Sequence, residues 1–249
     1  MQVSLFTRCI VDRLGVFGAG VTAPQFIRAD DGLTYVVKDE VPNQPLTVRA
    51  SEFLWLSLAK AIGLPAPVAE VINDENGTPL VGTRREPISS PDALAAFLTG
   101  HVNHGGVHLS RIYAFDLFSA NWDRHPGNYL VLDDGAGLLA AFAIDFSHVK
   151  VHPGLVDPAR DPLVSLPNAT RQFFPVVVAP YGPDVGAAIS IADRIDALPV
   201  TAVDMILTAM PDAWLSPAEK ADVLNWWKGP SRSTRVATLR QGLQNGTLI

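Results

Sequence analysis

Apolar residues along this chain change their spacing about a third of the way through. Up to Arg84 they fall in short runs rich in β-branched and aromatic side chains, the composition of strands. These runs are Gln25 to Ala29, then Gly32-Leu33-Thr34-Tyr35-Val36-Val37-Lys38 leaving an Asp30-Asp31-Gly32 turn, then a hairpin of Ala66 to Ile72 with Leu80 to Thr83. One segment departs from this pattern. From Thr47 to Ile62, Val48, Phe53, Leu54, Leu56, Leu58 and Ile62 recur at helical intervals and predict a single helix. Beyond Ser90-Pro91-Asp92 the helical period takes over: Asp92 to Leu98, Leu109 to Ala120, Asp184 to Ala197, Val200 to Met210 and Pro217 to Lys228. The last has Ser216 as N-cap, Pro217 at the first position, Glu219 to complete a capping box and Gly229-Pro230 as a stop. Pro153 to Pro180, with its many prolines, reads as loop. The expected fold class is therefore α+β, with a smaller β-rich lobe over residues 1–86, a larger mainly helical lobe over 87–249, and Arg84 to Ser89 as the hinge.

The helical half has one β interruption, and it carries the chemistry. Tyr129 to Leu132 and Leu138 to Ile144 are strand-like, with Asp133-Asp134-Gly135-Ala136-Gly137 between them. The hairpin follows Asn121-Trp122-Asp123-Arg124-His125-Pro126-Gly127-Asn128 and returns the chain to Ala143-Ile144-Asp145-Phe146-Ser147. Asp123 stands five residues before Asn128, the interval between base and metal ligand in a kinase catalytic loop, and the hairpin lifts Asn128 and Asp145 to the same end. A hydroxyl attacking the terminal phosphate of ATP needs a carboxylate beside it, and Asp123 is the candidate base. Magnesium needs hard oxygens, and the Asn128 amide with the Asp145 carboxylate supplies them. Taken singly, these residues read as a surface ion pair, a turn residue and a strand-end cap; only the combination points to phosphotransfer.

Phosphotransfer makes a demand upstream: a strand lysine for the phosphates and an acidic partner on the next helix. Lys38 and Glu52 meet it, although alone they would read as a solvated strand end and a helix acid favoured by the dipole. Gly15-Val16-Phe17-Gly18-Ala19-Gly20-Val21-Thr22-Ala23-Pro24 could bring Gly18, Gly20 and Thr22 against phosphate oxygens. It opens no helix and lacks a Gly-Lys-Ser/Thr ending, so it is neither a dinucleotide fingerprint nor a P-loop. His125 would shape the catalytic loop or approach phosphate. Asp116, beneath that loop, reads as structural, and Trp226-Trp227 as core on at least one side. His101, His104 and His108 suggest zinc only superficially, because Gly105-Gly106 would interrupt the helix needed to gather them.

Composition narrows the classes. A 249-residue chain with 48% hydrophobic and 18% charged residues can bury a sizeable core. A formal charge of −6 excludes a general nucleic-acid or anionic-membrane surface, so ATP must be held locally. Cys9 stands alone, which permits no internal disulfide, and no apolar run approaches a membrane span; a cytoplasmic location is expected.

In this order along the chain the residues resemble the HipA-like kinases, a bacterial branch of the protein-kinase-like fold. The likeness rests on Gly20-Val21-Thr22-Ala23-Pro24, Asp30-Asp31-Gly32, Tyr35-Val36-Val37-Lys38, and Glu52 followed by Ile62-Gly63-Leu64-Pro65-Ala66-Pro67. Further on it rests on Phe115-Asp116, Ala120 to Asn128 and Ile144-Asp145-Phe146. The resemblance implies a two-lobed fold and ATP- and Mg-dependent transfer to serine or threonine of a protein substrate. It also implies Asp123 as base, Asn128 and Asp145 as magnesium ligands, and Lys38 as phosphate contact partnered by Glu52. An antitoxin-like partner, as in a toxin–antitoxin pair, is a further implication. Ser147 departs from the glycine that follows Asp-Phe in ordinary eukaryotic kinases, which argues against regulation by a loop hinged on a flexible glycine. A small-molecule kinase would show the same phosphate-handling residues, and a nucleotide-binding pseudokinase acting as an interaction module is the alternative outside enzymology.

Overall fold

The computed structural model describes residues 7–16, 24–38, 47–133, 138–166 and 168–249. Gly18, Gly20 and Thr22 of the glycine-rich loop, the Pro42 to Pro45 loop and most of the turn between Asp133 and Leu138 lie outside them.

Alternation does what a pleated strand requires. On β2 (Gln25–Ala29) and β3 (Thr34–Val37), Ile27, Ala29, Tyr35 and Val37 all point inward and are buried, while their neighbours face out. Ile72 of β4 (Ala69–Asn73) and Leu80 of β5 (Pro79–Arg84) complete this small core. The strands, with β1 (Arg8–Val16), close into a barrel in the order β1-β2-β3-β5-β4, sealed by parallel pairing of Arg8 with Ile72 and Cys9 with Asn73. A barrel this small is filled by its own side chains. That explains Gly82: a Cβ there would sit 2.2 Å from Ile72 Cδ1. Closure was not legible in the sequence, because a strand's own pattern does not name its partner across a barrel seam.

Helix α1 (Thr47–Ala61) belongs to a different and larger core. Its Trp55 is fully buried, edge-on to Phe115 at 5.8 Å and Phe118 at 6.3 Å, and donates its indole N–H to the Lys150 carbonyl at 2.8 Å. Phe53 meets Trp214 edge-on at 5.9 Å. A helix gripped on several faces has little freedom to shift, and this helix carries Glu52.

A second, antiparallel sheet has the order β6 (Ile88–Ser90), β7 (Tyr129–Asp133), β8 (Leu139–Ala143), with Tyr129 opposite Ala143 and Asp133 opposite Leu139. The β7–β8 hairpin matches expectation. Strand β6 does not, since it occupies part of the stretch read as a hinge.

Helices make up most of the remainder. Asp92 caps α2 (Ala93–Leu98) through its side chain. Helix α3 (Gly105–Ser119) corrects an expectation: Gly105 and Gly106 open it instead of interrupting it, with His104 as a left-handed N-cap. The reason is packing, for a Cβ on Gly105 would meet the Tyr181 ring at 2.6 Å and one on Gly106 the Gly182 carbonyl at 2.5 Å. Helix α4 (Ala169–Val178) stands in the segment read as loop. Pro175 costs it an internal hydrogen bond, but Phe174, Val177 and Val178 are buried and Phe174 stacks on Tyr113 at 3.9 Å, so tertiary burial overrides the breaker. Helices α5 (Val185–Ala197), α6 (Val200–Ala209) and α7 (Pro217–Lys228) match expectation, including the reciprocal Ser216–Glu219 capping box. Gly229-Pro230 is a stop and also a start: Pro230 takes the first position of α8 (Pro230–Gln244), where its missing N–H is harmless. Trp227 is buried and Trp226 partly so, both against Phe118. Among the described residues no helix is long and apolar enough to cross a membrane.

Candidate active site

The catalytic-loop segment is built upward from Asp116, which is fully buried on α3. Its carboxylate takes the Arg124 guanidinium in a fork, Nε to Oδ2 at 2.8 Å and Nη2 to Oδ1 at 2.9 Å, and accepts the Asn121 amide at 2.8 Å. Burial pushes the Asp116 carboxyl up, against the opposing pull of the guanidinium. Arg124 Nη1 then donates to two carbonyls, Asn128 at 2.5 Å and Ile144. One buried cation thus ties the end of the loop to the end of β8. Thr170 on α4 holds the loop from beneath, accepting from the Arg124 amide at 3.0 Å and donating to the Asn121 carbonyl at 2.6 Å. The structural reading of Asp116 is borne out.

On this base the functional side chains are set by short local contacts. The Asp123 amide donates to Asn121 Oδ1 at 3.2 Å, and its carbonyl accepts from Asn128 Nδ2 at 3.0 Å. Both backbone groups of Asp123 are therefore occupied, while no described residue donates to its half-buried carboxylate. Because the Asn128 amide nitrogen is used inward, its oxygen is left as an acceptor. Residues 126–128 form a single 3-10 turn, capped by His125 Nδ1 accepting from the Gly127 amide at 3.1 Å. Glycine at 127 leaves room for that ring, since a Cβ would lie 2.9 Å from His125 Cε1. His125 accordingly shapes the loop through Nδ1.

The second half of the site comes from the hairpin's return. The Ile144 amide donates to the Asn128 carbonyl at 3.2 Å, which brings Asp145 beside Asn128. Asp145 is left-handed, with φ of 59°. A non-glycine residue there costs on the order of 1–3 kcal/mol and persists only where the surroundings hold it. They do so here through Lys38 Nζ, which donates to Asp145 Oδ1 at 2.8 Å, and through Ser147, whose amide donates at 3.3 Å and whose hydroxyl donates to the same oxygen. Glu52, fully buried, takes the Phe146 amide at 2.6 Å and lies 3.8 Å from Lys38 Nζ. Phe146 is sealed between Phe115, edge-on at 5.6 Å, and the Arg124 guanidinium 4.8 Å from its ring centre.

Lys38, Glu52 and Asp145 therefore share one cluster, but the nearer partner of Lys38 is Asp145, not Glu52. Burial alone would raise the Asp145 carboxyl; the adjacent ammonium and the Ser147 donors outweigh it and hold the group well below its ordinary value near 3.8. Burial raises Glu52, with Lys38 only partly offsetting it. Lys38 itself is raised: the two carboxylates overcome its own desolvation.

A carboxyl lowered on folding stabilises the fold above its unfolded pKa, and that contribution fades as pH falls below about 4. Replacing Lys38 by Met leaves the half-buried Asp145 without its cation. The variant's melting temperature should fall furthest below wild type at pH 7, and the gap should narrow toward pH 4 as Asp145 protonates. A pH-independent gap in calorimetric or dichroism melts would contradict this ion pair.

Sequence reasoning missed two contributors. Thr170 lies on a helix that was read as loop, and no local signal marks it. Ser147 was noted only as a departure from glycine, although a hydroxyl two residues after an acidic residue can bond back to it. Among the described residues no three His, Cys, Asp or Glu side chains gather into a metal-holding group. Any divalent ion at this site would take two protein oxygens and complete its shell with phosphate and water, as magnesium does.

No family model matches the sequence. No curated protein matches it either. Solved structures do. The proinflammatory kinase CtkA of Helicobacter pylori superposes with a TM-score of 0.62 at 13% identity, covering 96% of this chain and 98% of that one. HipA of Shewanella oneidensis MR-1, solved as a toxin–antitoxin complex with HipB and operator DNA, gives 0.51 at 14% identity, covering 94% of this chain and 65% of that chain. At such identities the likeness speaks for the fold, and the fold this chain adopts is that of the HipA-like kinases.

Proposed function

We propose that this protein is an ATP- and Mg-dependent phosphotransferase of two-lobed kinase architecture, with residues 1–86 as the smaller lobe and 87–249 as the larger, acting on serine or threonine hydroxyls of protein. The observation that supports this most is the partly buried cluster of Lys38, Glu52 and Asp145 beside the Asp123–Asn128 loop: one ammonium, two carboxylates and a free amide oxygen drawn from four separate elements. A surface ion pair would not be built this way.

In this reading Lys38 turns its ammonium from Asp145 toward the α and β phosphates, with Glu52 still behind it. Asn128 Oδ1 and the unengaged oxygen of Asp145 would hold the magnesium ion. The metal, when bound, neutralises charge on the transferring phosphoryl group. Asp123, free of other donors, orients the acceptor hydroxyl and receives its proton. Gly18, Gly20, Thr22 and His125 are assigned to the phosphates. The HipA neighbour, solved with HipB and operator DNA, supports an antitoxin-like protein partner here. The chain's charge of −6 speaks against direct nucleic-acid contact.

The test is transfer from γ-labelled ATP with magnesium, offered cell protein in one arm and small alcohols in the other. Label on protein serine or threonine, abolished by EDTA, is the expected result. Label confined to small alcohols would make this a small-molecule kinase, and ATP binding without transfer to either would leave an interaction module.

A further inference from the structure

We infer that Ser147 is a positioning residue for the metal-binding turn: it pins Asp145 Oδ1, so that Oδ2 alone faces the divalent cation in a fixed orientation. This rests on the phosphotransfer reading above and deepens it.

The geometry is specific. Asp145 Oδ1 accepts from Lys38 Nζ and from both the amide and the hydroxyl of Ser147, whereas Oδ2 accepts from no described residue. When phosphates draw Lys38 away, the two Ser147 donors are what remain on Oδ1. The hydroxyl is the one that an alanine or glycine at this position would lack. Ser147 itself has no left-handed backbone, so alanine can replace it without strain. Ser147 is also buried.

The remaining contacts of the turn fix the backbone and not the carboxylate. The Phe146 amide is held by Glu52, the Phe146 ring is sealed by Phe115 and Arg124, and the Val149 amide donates to the Phe146 carbonyl at 3.1 Å. Loss of the Ser147 hydroxyl therefore loosens the side-chain rotation of Asp145, leaving the Ser147 amide as the local donor, and leaves the turn in place. An acidic ligand that must be re-oriented on binding binds its metal more weakly.

The experiment is a manganese titration followed by electron paramagnetic resonance, in the presence of a non-hydrolysable ATP analogue, on wild type, Ser147→Ala and Ser147→Thr. Ser147→Ala should weaken manganese binding about 10-fold, the lower end of the range for groups that orient metal ligands. Ser147→Thr, which keeps the hydroxyl, should restore it, and the KM for magnesium should rise more than kcat falls. Equal manganese affinity in Ser147→Ala and wild type would overturn the assignment. So would a loss that threonine fails to rescue and that tracks a fall in melting temperature, since that would make the residue merely structural. If wild type binds no manganese with the nucleotide analogue, it is the phosphotransfer reading that fails, a result distinct from either of these.

Discussion

If the protein transfers phosphate as proposed, Asp123→Asn should lower the transfer by roughly 10²–10⁴-fold, the span typical of a general base, and leave nucleotide affinity unchanged. The substitution is close to isosteric. Both backbone contacts of residue 123, to Asn121 and Asn128, survive it, so the loop keeps its shape and only basicity is lost. The measurement pairs labelled-phosphate transfer with binding of a fluorescent ATP analogue. Wild-type turnover in the variant would remove Asp123 from the chemistry. Weakened nucleotide binding would instead mean that the loop had been disturbed. If expression of the wild type arrests growth, as a toxin would, the same substitution should relieve the arrest.

Arg124→Met destabilises the fold by about 3–5 kcal/mol, the usual consequence of removing one partner from a buried ion pair. Asp116 would keep only the Asn121 amide as a donor, at zero solvent exposure, and the carbonyls of Asn128 and Ile144 would lose a shared donor. In a chain of this size that corresponds to a fall in melting temperature on the order of 10 °C. Asp116→Leu combined with Arg124→Met should cost less than the two single changes added together, because the double variant leaves no uncompensated charge. Strict additivity in thermal or denaturant unfolding would show that the two side chains do not act as a unit. Loss of transfer activity in Arg124→Met is expected to exceed what unfolding explains, since Arg124 also sets the distance between Asn128 and Asp145.

Much of the local structure was open to inspection along the chain, for reasons that differ by element. The β7–β8 hairpin announced itself through two apolar runs around an Asp-Gly-rich turn. Helix α7 was marked by a capping box whose partners lie three residues apart. Such signals are short-range, and short-range physics suffices to read them. The failures share the opposite cause. Gly105-Gly106 predict a break, yet each sits where a neighbouring element packs closely enough to decide the backbone; Pro175 is itself exposed and is tolerated because its helix buries Phe174, Val177 and Val178. Pro230 read as an end only because nothing local says that a second helix follows.

The candidate site divides along the same line. Asp123, Asn128 and Asp145 could be named from spacing, and Lys38 and Glu52 from the demands of phosphate chemistry, because residue type and interval along a backbone limit what a side chain can do. Which carboxylate Lys38 reaches, which oxygen of Asp145 stays open, and how Arg124 binds the loop to the hairpin's return are different in kind. They depend on elements far apart in the chain meeting in a buried, poorly screened interior. There a fraction of an ångström decides which charge is satisfied, and only the folded arrangement supplies it.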